Sequence, residues 1–107
     1  MKTEYPDFEK MIYPTIFFLS SCGGFAKKDF VGQMLQEMFG IEDIDADNSW
    51  KQHLDDFCSE MIKQDLFLKP QQNDIWELSL MGRMEFVKQM MFYKIYQDEM
   101  IKNLKEE

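Results

Sequence analysis

The chain has 107 residues, with 12 Lys and Arg against 20 Asp and Glu and a formal net charge of −8. That length makes one folding unit, which buries roughly 65% of its unfolded surface without metals or disulfides. The charge weighs against nonspecific affinity for nucleic acid or anionic lipid, and an apolar share of 45% is too high for a disordered acidic tail.

Apolar runs reach only four residues, as in Ile16-Phe17-Phe18-Leu19, so no membrane span is expected. The first nine residues lack a secretory apolar core and are too acidic for a mitochondrial signal, so the expected location is cytoplasmic. Cys22 and Cys58 are the two cysteines, both among apolar residues, and read as buried reduced thiols. Ten Met and ten Phe are many for this length. Flexible Met fills irregular cores and also serves adaptable binding surfaces.

The first predicted helix runs from Asp7 to Cys22, on the helical spacing of Phe8, Met11, Ile12, Ile16 and Leu19. Asp7 can cap it, Pro14 should kink it, and Gly23-Gly24 ends it. Phe25-Ala26 reads as a short extended piece that adds a third strand to the hairpin further along the chain. The second helix runs from Lys27 to Phe39, with a stripe of Phe30, Val31, Met34, Leu35 and Met38 and Gly40 as its stop. Lys27 and Lys28 oppose the dipole at its start, which points to another role for them.

Ile41 to Ser49 is an acidic loop. Its Asp43-x-Asp45-x-Asp47 spacing matches the opening of a calcium loop. Asn48 stands where glycine is needed, however, and Leu54 where the bidentate glutamate is needed. The loop therefore reads as solvated, its carboxylates favouring the next helix start. The third helix, Trp50 to Gln64, is the strongest amphipathic segment. Trp50, Leu54, Phe57, Cys58, Met61 and Ile62 share one face, and Lys51, Gln52, His53, Asp55, Asp56, Glu60 and Lys63 the other.

The period then changes to two. Leu66-Phe67-Leu68-Lys69, the turn Pro70-Gln71-Gln72-Asn73-Asp74, and Ile75 to Leu80 predict a β-hairpin. Ser79 caps a last helix from near Leu80 to about Lys105. The middle of that helix is apolar around most of its circumference, so it needs burial on more than one side. Phe86, Met90, Tyr93, Met100 and Leu104 lie along one side, and Val87, Met91 and Ile95 along another. One set is expected to face the core and the other a partner, with a homodimer first.

The predicted fold is mostly α with a small β-hairpin (α+β), in the order of a winged helix-turn-helix with an extended C-terminal helix. Three blocks carry a family likeness: Pro14 to Leu19 with Gly23-Gly24 and Lys28-Asp29-Phe30-Val31; Trp50 to Leu66; and Ile75 to Arg83. Together they resemble the winged-helix domain at the N-terminus of Mrr-type restriction endonucleases, with Ser79 standing in for the Thr of a closing Thr-x-x-Gly-Arg. The likeness covers Tyr5 to about Val87. It implies a DNA-binding helix and wing. That family's domain is joined to a nuclease domain, which these residues do not include, so no cleavage activity is expected. The domain reading is residues 1–83 as the winged helix and 84–107 as the extended helix.

No catalytic constellation is present, and no metal or cofactor is expected. His53 has no second His or Cys nearby and reads as a rim residue. Asp55 and Asp56 diverge by about 100° on a helix and do not form a carboxylate pair. The leading expectation is a binding module that acts through protein contacts. Its acidic face comprises Asp55, Asp56, Glu60, Asp43, Asp45 and Asp47. Such a module is a regulator, or a DNA-mimicking inhibitor of phage type directed at a nuclease or other nucleic-acid-binding protein. The competing expectation is a dimeric DNA-binding regulator using helix 50–64 and wing 66–80. Its contacts are Lys27, Lys28, Lys51, His53, Lys69, Gln71, Gln72, Asn73 and Arg83. Arg83 also reads as packing its stem across Trp76.

Overall fold

Apolar spacing at the helical period produces four helices among the described residues, and short alternating segments produce a two-stranded sheet. The computed structural model describes residues 5–42, 49–70 and 74–105. Chain order is α1 (Phe8–Ser21), β1 (Phe25–Lys27), α2 (Lys28–Met38), α3 (Ser49–Lys63), β2 (Ile75–Glu77) and α4 (Leu80–Lys105). Asp43, Asp45, Asp47, Gln71, Gln72 and Asn73 lie outside the described residues.

Three helices stop in the same way. The second residue beyond the last helical one turns left-handed, and the next amide reaches back to a carbonyl of the final turn. In α1 the Gly24 amide donates to Leu19 (2.7 Å), in α2 Ile41 to Gln36 (2.9 Å), and in α3 Leu66 to Met61 (3.0 Å). The left-handed residue is Gly23 in α1 and Gly40 in α2, but Asp65, at φ 60°, in α3. Helix starts are less regular. Asp7 occupies the N-cap position of α1 without a side-chain bond, contrary to its expected capping role. Ser79 does cap α4, its Oγ accepting the Gly82 amide at 3.1 Å. The helix α1 runs on through Pro14.

The sheet departs from the predicted hairpin. The strand β2 pairs with β1, antiparallel, with Phe25 opposite Glu77, Ala26 opposite Trp76 and Lys27 opposite Ile75. The expected partner segment contributes one bridge, Phe67 to Leu78, and the Leu68 amide bond to Glu77 at 2.9 Å. Small Ala26 beside Trp76 leaves room for the indole, which is buried.

The core gathers Met11, Ile16 and Leu19 of α1, Val31 and Leu35 of α2, and Trp50, Leu54, Phe57 and Met61 of α3, closed by Phe67, Trp76 and Leu78. Phe57, Phe67 and Trp76 contact one another, with ring centroids 5.4–6.3 Å apart. Two glycines permit close approach: a Cβ on Gly32 would stand 2.7 Å from Leu54, and one on Gly82 2.3 Å from the Leu66 carbonyl oxygen. Phe30 and Met38, from the α2 stripe, are exposed. The α2 contact face is centred instead on Val31, Gly32 and Leu35.

The helix α4 outruns the domain. Its 26 residues span about 39 Å at 1.5 Å per residue. Only its first turns meet α1, where Phe86 packs against the core and its ring lies 6.2 Å from Phe17. The molecule measures 56 × 36 × 21 Å, with a radius of gyration of 16.3 Å, against about 13 Å for a compact chain of this length.

Candidate functional site

The outer face of α3 and the free length of α4 are the surfaces that the core leaves over. On α3 the core-facing stripe forces Lys51, Gln52, Asp55, Asp56 and Lys63 outward, and Glu60 is half-buried. Neighbours one turn away hold two carboxylates: Gln52 donates to Asp56 at 2.9 Å, and Gln64 to Glu60 at 3.1 Å.

The two sets of expected contacts meet at one point. Lys28 Nζ, at the start of α2, pairs with the Asp55 carboxylate. It is the one ion pair among the described residues. The same carboxylate bears on Cys58. Burial first, and then Asp55, push the Cys58 thiol above its ordinary range, against a smaller pull from Lys28. Cys58 is buried as expected. Cys22 is not, because it sits at the C-cap of α1, where the chain turns outward.

His53 is held from inside the fold. Its Nε2 lies 2.9 Å from the Pro6 carbonyl oxygen, which accepts. Its ring sits within 5.0–5.8 Å of Phe8, Tyr5 and Trp50. The Tyr5 hydroxyl also bonds Ser49, so the segment before α1 is fastened to the first turn of α3.

The remaining candidate cations, Lys27, Lys51, Lys69 and Arg83, are exposed. The Arg83 guanidinium lies over Gly24, where a Cβ would come within 2.2 Å of it. The arginine therefore covers a backbone turn, the positive φ and bare Cα of Gly24 leaving the space. On α4, Phe86 alone of the first set packs on the core. Met90, Tyr93, Met100 and Leu104 are exposed, as are Val87, Met91 and Ile95. The expectation that one whole set faces the core fails because α1 is 14 residues long and α4 is 26.

One surface escaped the sequence reading. A groove of about 560 Å³ is lined by Glu9, Ile12 and Tyr13 of α1, Gln64 and Leu66 at the end of α3, and Glu85 of α4. Its two carboxylates belong to helices that only the tertiary fold brings together, and no local motif marks them.

Among the described residues no group of three His, Cys, Asp or Glu is placed to hold a metal ion. No described helix is long and apolar enough to cross a membrane. No family model, curated protein or solved structure matches the chain.

Proposed function

We propose that this protein is a non-catalytic winged-helix module that binds a basic protein partner through an acidic surface centred on α3. The observation that carries the reading is the Lys28–Asp55 pair. A helix that reads DNA needs positive charge toward the phosphates. Here the lysine beside α3 is taken up by a carboxylate of α3 itself. Asp56 remains outward and Glu60 half-buried, held by Gln52 and Gln64.

Charge and shape agree with a basic partner. The net charge is −8, which speeds encounter with a cationic surface and repels nucleic acid. The groove brings Glu9 and Glu85 together with the apolar Ile12 and Leu66 and with Tyr13. It suits the aliphatic stem and cationic head of a lysine or arginine. A regulator or an inhibitor of a nucleic-acid-binding protein or nuclease fits this chemistry. The resemblance to Mrr-type N-terminal domains supports the winged-helix order and supplies no catalytic residue.

The alternative is a DNA-binding regulator, favoured by the exposed Lys27, Lys51, Lys69 and Arg83 around α3 and the sheet. Titration into labelled duplex DNA at low and at physiological salt separates the two. The proposal expects no binding at either salt. It also expects the protein to displace DNA from a basic nucleic-acid-binding protein, and Asp55, Asp56 and Glu60 to lysine to remove that displacement. Submicromolar DNA binding with a steep salt slope overturns it.

A further inference from the structure

The groove shared by α1, the end of α3 and α4 gathers free hydrogen-bond acceptors from three elements. On α1, Glu9, Ile12 and Tyr13 are spaced i, i+3 and i+4, which keeps them within about 100° of arc. Gln64 and Leu66 follow from the end of α3. Glu85 arrives from α4, one turn beyond Gly82, whose missing Cβ lets that helix close on the Leu66 carbonyl. The volume of about 560 Å³ falls in the range of roughly 300–1,000 Å³ that suits a bound group.

Its polar groups are nearly all acceptors. The Leu66 amide donates to Met61 and its carbonyl accepts the Ser79 amide, so the backbone there is satisfied. The Gln64 side-chain nitrogen donates to Glu60 at 3.1 Å, which leaves its carbonyl oxygen. Among the described residues the one ion pair is that of Lys28 and Asp55. Glu9 and Glu85 therefore have no cation of their own, although Lys10 and Lys88 are close to them in sequence. Tyr13, 56% exposed, adds a hydroxyl and a ring.

We propose that this groove takes an arginine side chain of the protein partner, its guanidinium bridging Glu9 and Glu85 and its stem lying along Ile12 and Leu66. Five N–H donors in one plane can serve two carboxylates and the Gln64 oxygen together. A lysine ammonium has three donors about a single point and spans them less well. Tyr13 gives the planar cation a ring to stack on. Apolar Ile12 and Leu66 suit the stem and do not suit a hydrated metal ion, and no described group of three His, Cys, Asp or Glu is placed to hold one. That the arginine belongs to a protein rests on the proposed function. The choice of side chain rests on the groove alone.

The test is a titration of the isotope-labelled protein with a capped tripeptide that carries arginine between two glycines, followed by amide shifts in NMR. Amides of residues 9–13, 64–66 and 84–86 are expected to shift and saturate, with a Kd on the order of 1 mM for one side chain. The lysine tripeptide is expected to bind about threefold more weakly. Glu9→Gln and Glu85→Gln keep the shape and remove the charge, and each is expected to weaken the arginine tripeptide about fivefold with unchanged circular dichroism. Shifts that fail to saturate, or that centre on residues 52–60, overturn the site. Equal affinity for lysine overturns the choice of arginine, and unchanged affinity in both Gln variants overturns the part given to the carboxylates. The two readings fail separately. No tripeptide binding by a protein that still displaces DNA from a basic protein ends this proposal alone. Saturable binding at the groove without that displacement supports it and ends the α3 reading.

Discussion

The Lys28 ammonium closes on the Asp55 carboxylate and so ties the start of α2 to the middle of α3. The lysine side chain is 18% exposed and the aspartate 53%. Water screens the aspartate, so the coupling is about 0.5 kcal/mol. A double-mutant cycle with Lys28→Ala and Asp55→Ala, read by urea unfolding, should return that value. It should shrink toward zero as salt shortens the Debye length. A coupling that holds at high salt would mean that the pair is more deeply shielded than its exposure implies.

Gly82 sits inside α4, where helix propensity alone favours alanine by about 1 kcal/mol. The structure reverses that sign. A Cβ there would stand 2.3 Å from the Leu66 carbonyl oxygen and 3.0 Å from Leu78. Backbone must shift to admit it, at a cost of about 2 kcal/mol. Gly82→Ala should therefore lower the urea midpoint, and a raised midpoint would contradict the close packing of α4 on the 66–68 segment.

These two sites show where sequence reading stops. The helices were legible because their apolar residues repeat at the helical period, so Leu54, Phe57 and Met61 mark a buried face without any tertiary information. The pairing of β1 with β2 was half visible. Phe25-Ala26 reads as a third strand beside the hairpin, but it lies about 50 positions from Ile75–Glu77, and alternation does not say that it pairs with β2 over more residues than the 66–69 segment does. The ion pair between Lys28 and Asp55 joins residues 27 apart on different elements, beyond any local pattern. For α4, an apolar circumference announced a need for cover. Which face the domain takes is decided by Gly82, the one buried residue of that helix, and its meaning depends on what lies opposite.

The end of α3 offers a gain in stability. Asp65 is the one described non-glycine residue with positive φ, at 60°, in the position that glycine fills at the ends of α1 and α2. Its side chain crowds its own backbone there, which glycine avoids. The bond it supports runs from Ser79 Oγ to the Asp65 carbonyl, a backbone group that substitution preserves. Asp65→Gly should raise stability by about 0.5 kcal/mol, the relief of strain less the greater freedom of glycine in the unfolded chain. Thermal melts of the two proteins compare them, and a lowered Tm would mean that the aspartate side chain contributes a contact worth more than the strain.

Cys58 gives the fold a weakness on the alkaline side. Burial and the Asp55 carboxylate push its thiol above the ordinary value of 9.0. Below that value the thiol is neutral in the folded and unfolded chain alike, and stability is unaffected by this group. As pH rises past it, the unfolded chain releases the proton first, so each further step in pH favours unfolding until the folded thiol also ionises. Stability should thus fall as pH rises past 9.0 more steeply in the wild type than in Cys58→Ala, once the constant cost of the lost sulfur is subtracted. Every other group is common to both proteins, so the difference between them isolates the thiol. Exposed Cys22 supplies an internal control for a labelling version: it should react with a maleimide at once, and Cys58 only as the chain unfolds. Equal labelling of both thiols in native buffer would show that the core around Phe57 and Met61 opens far more readily than its packing indicates.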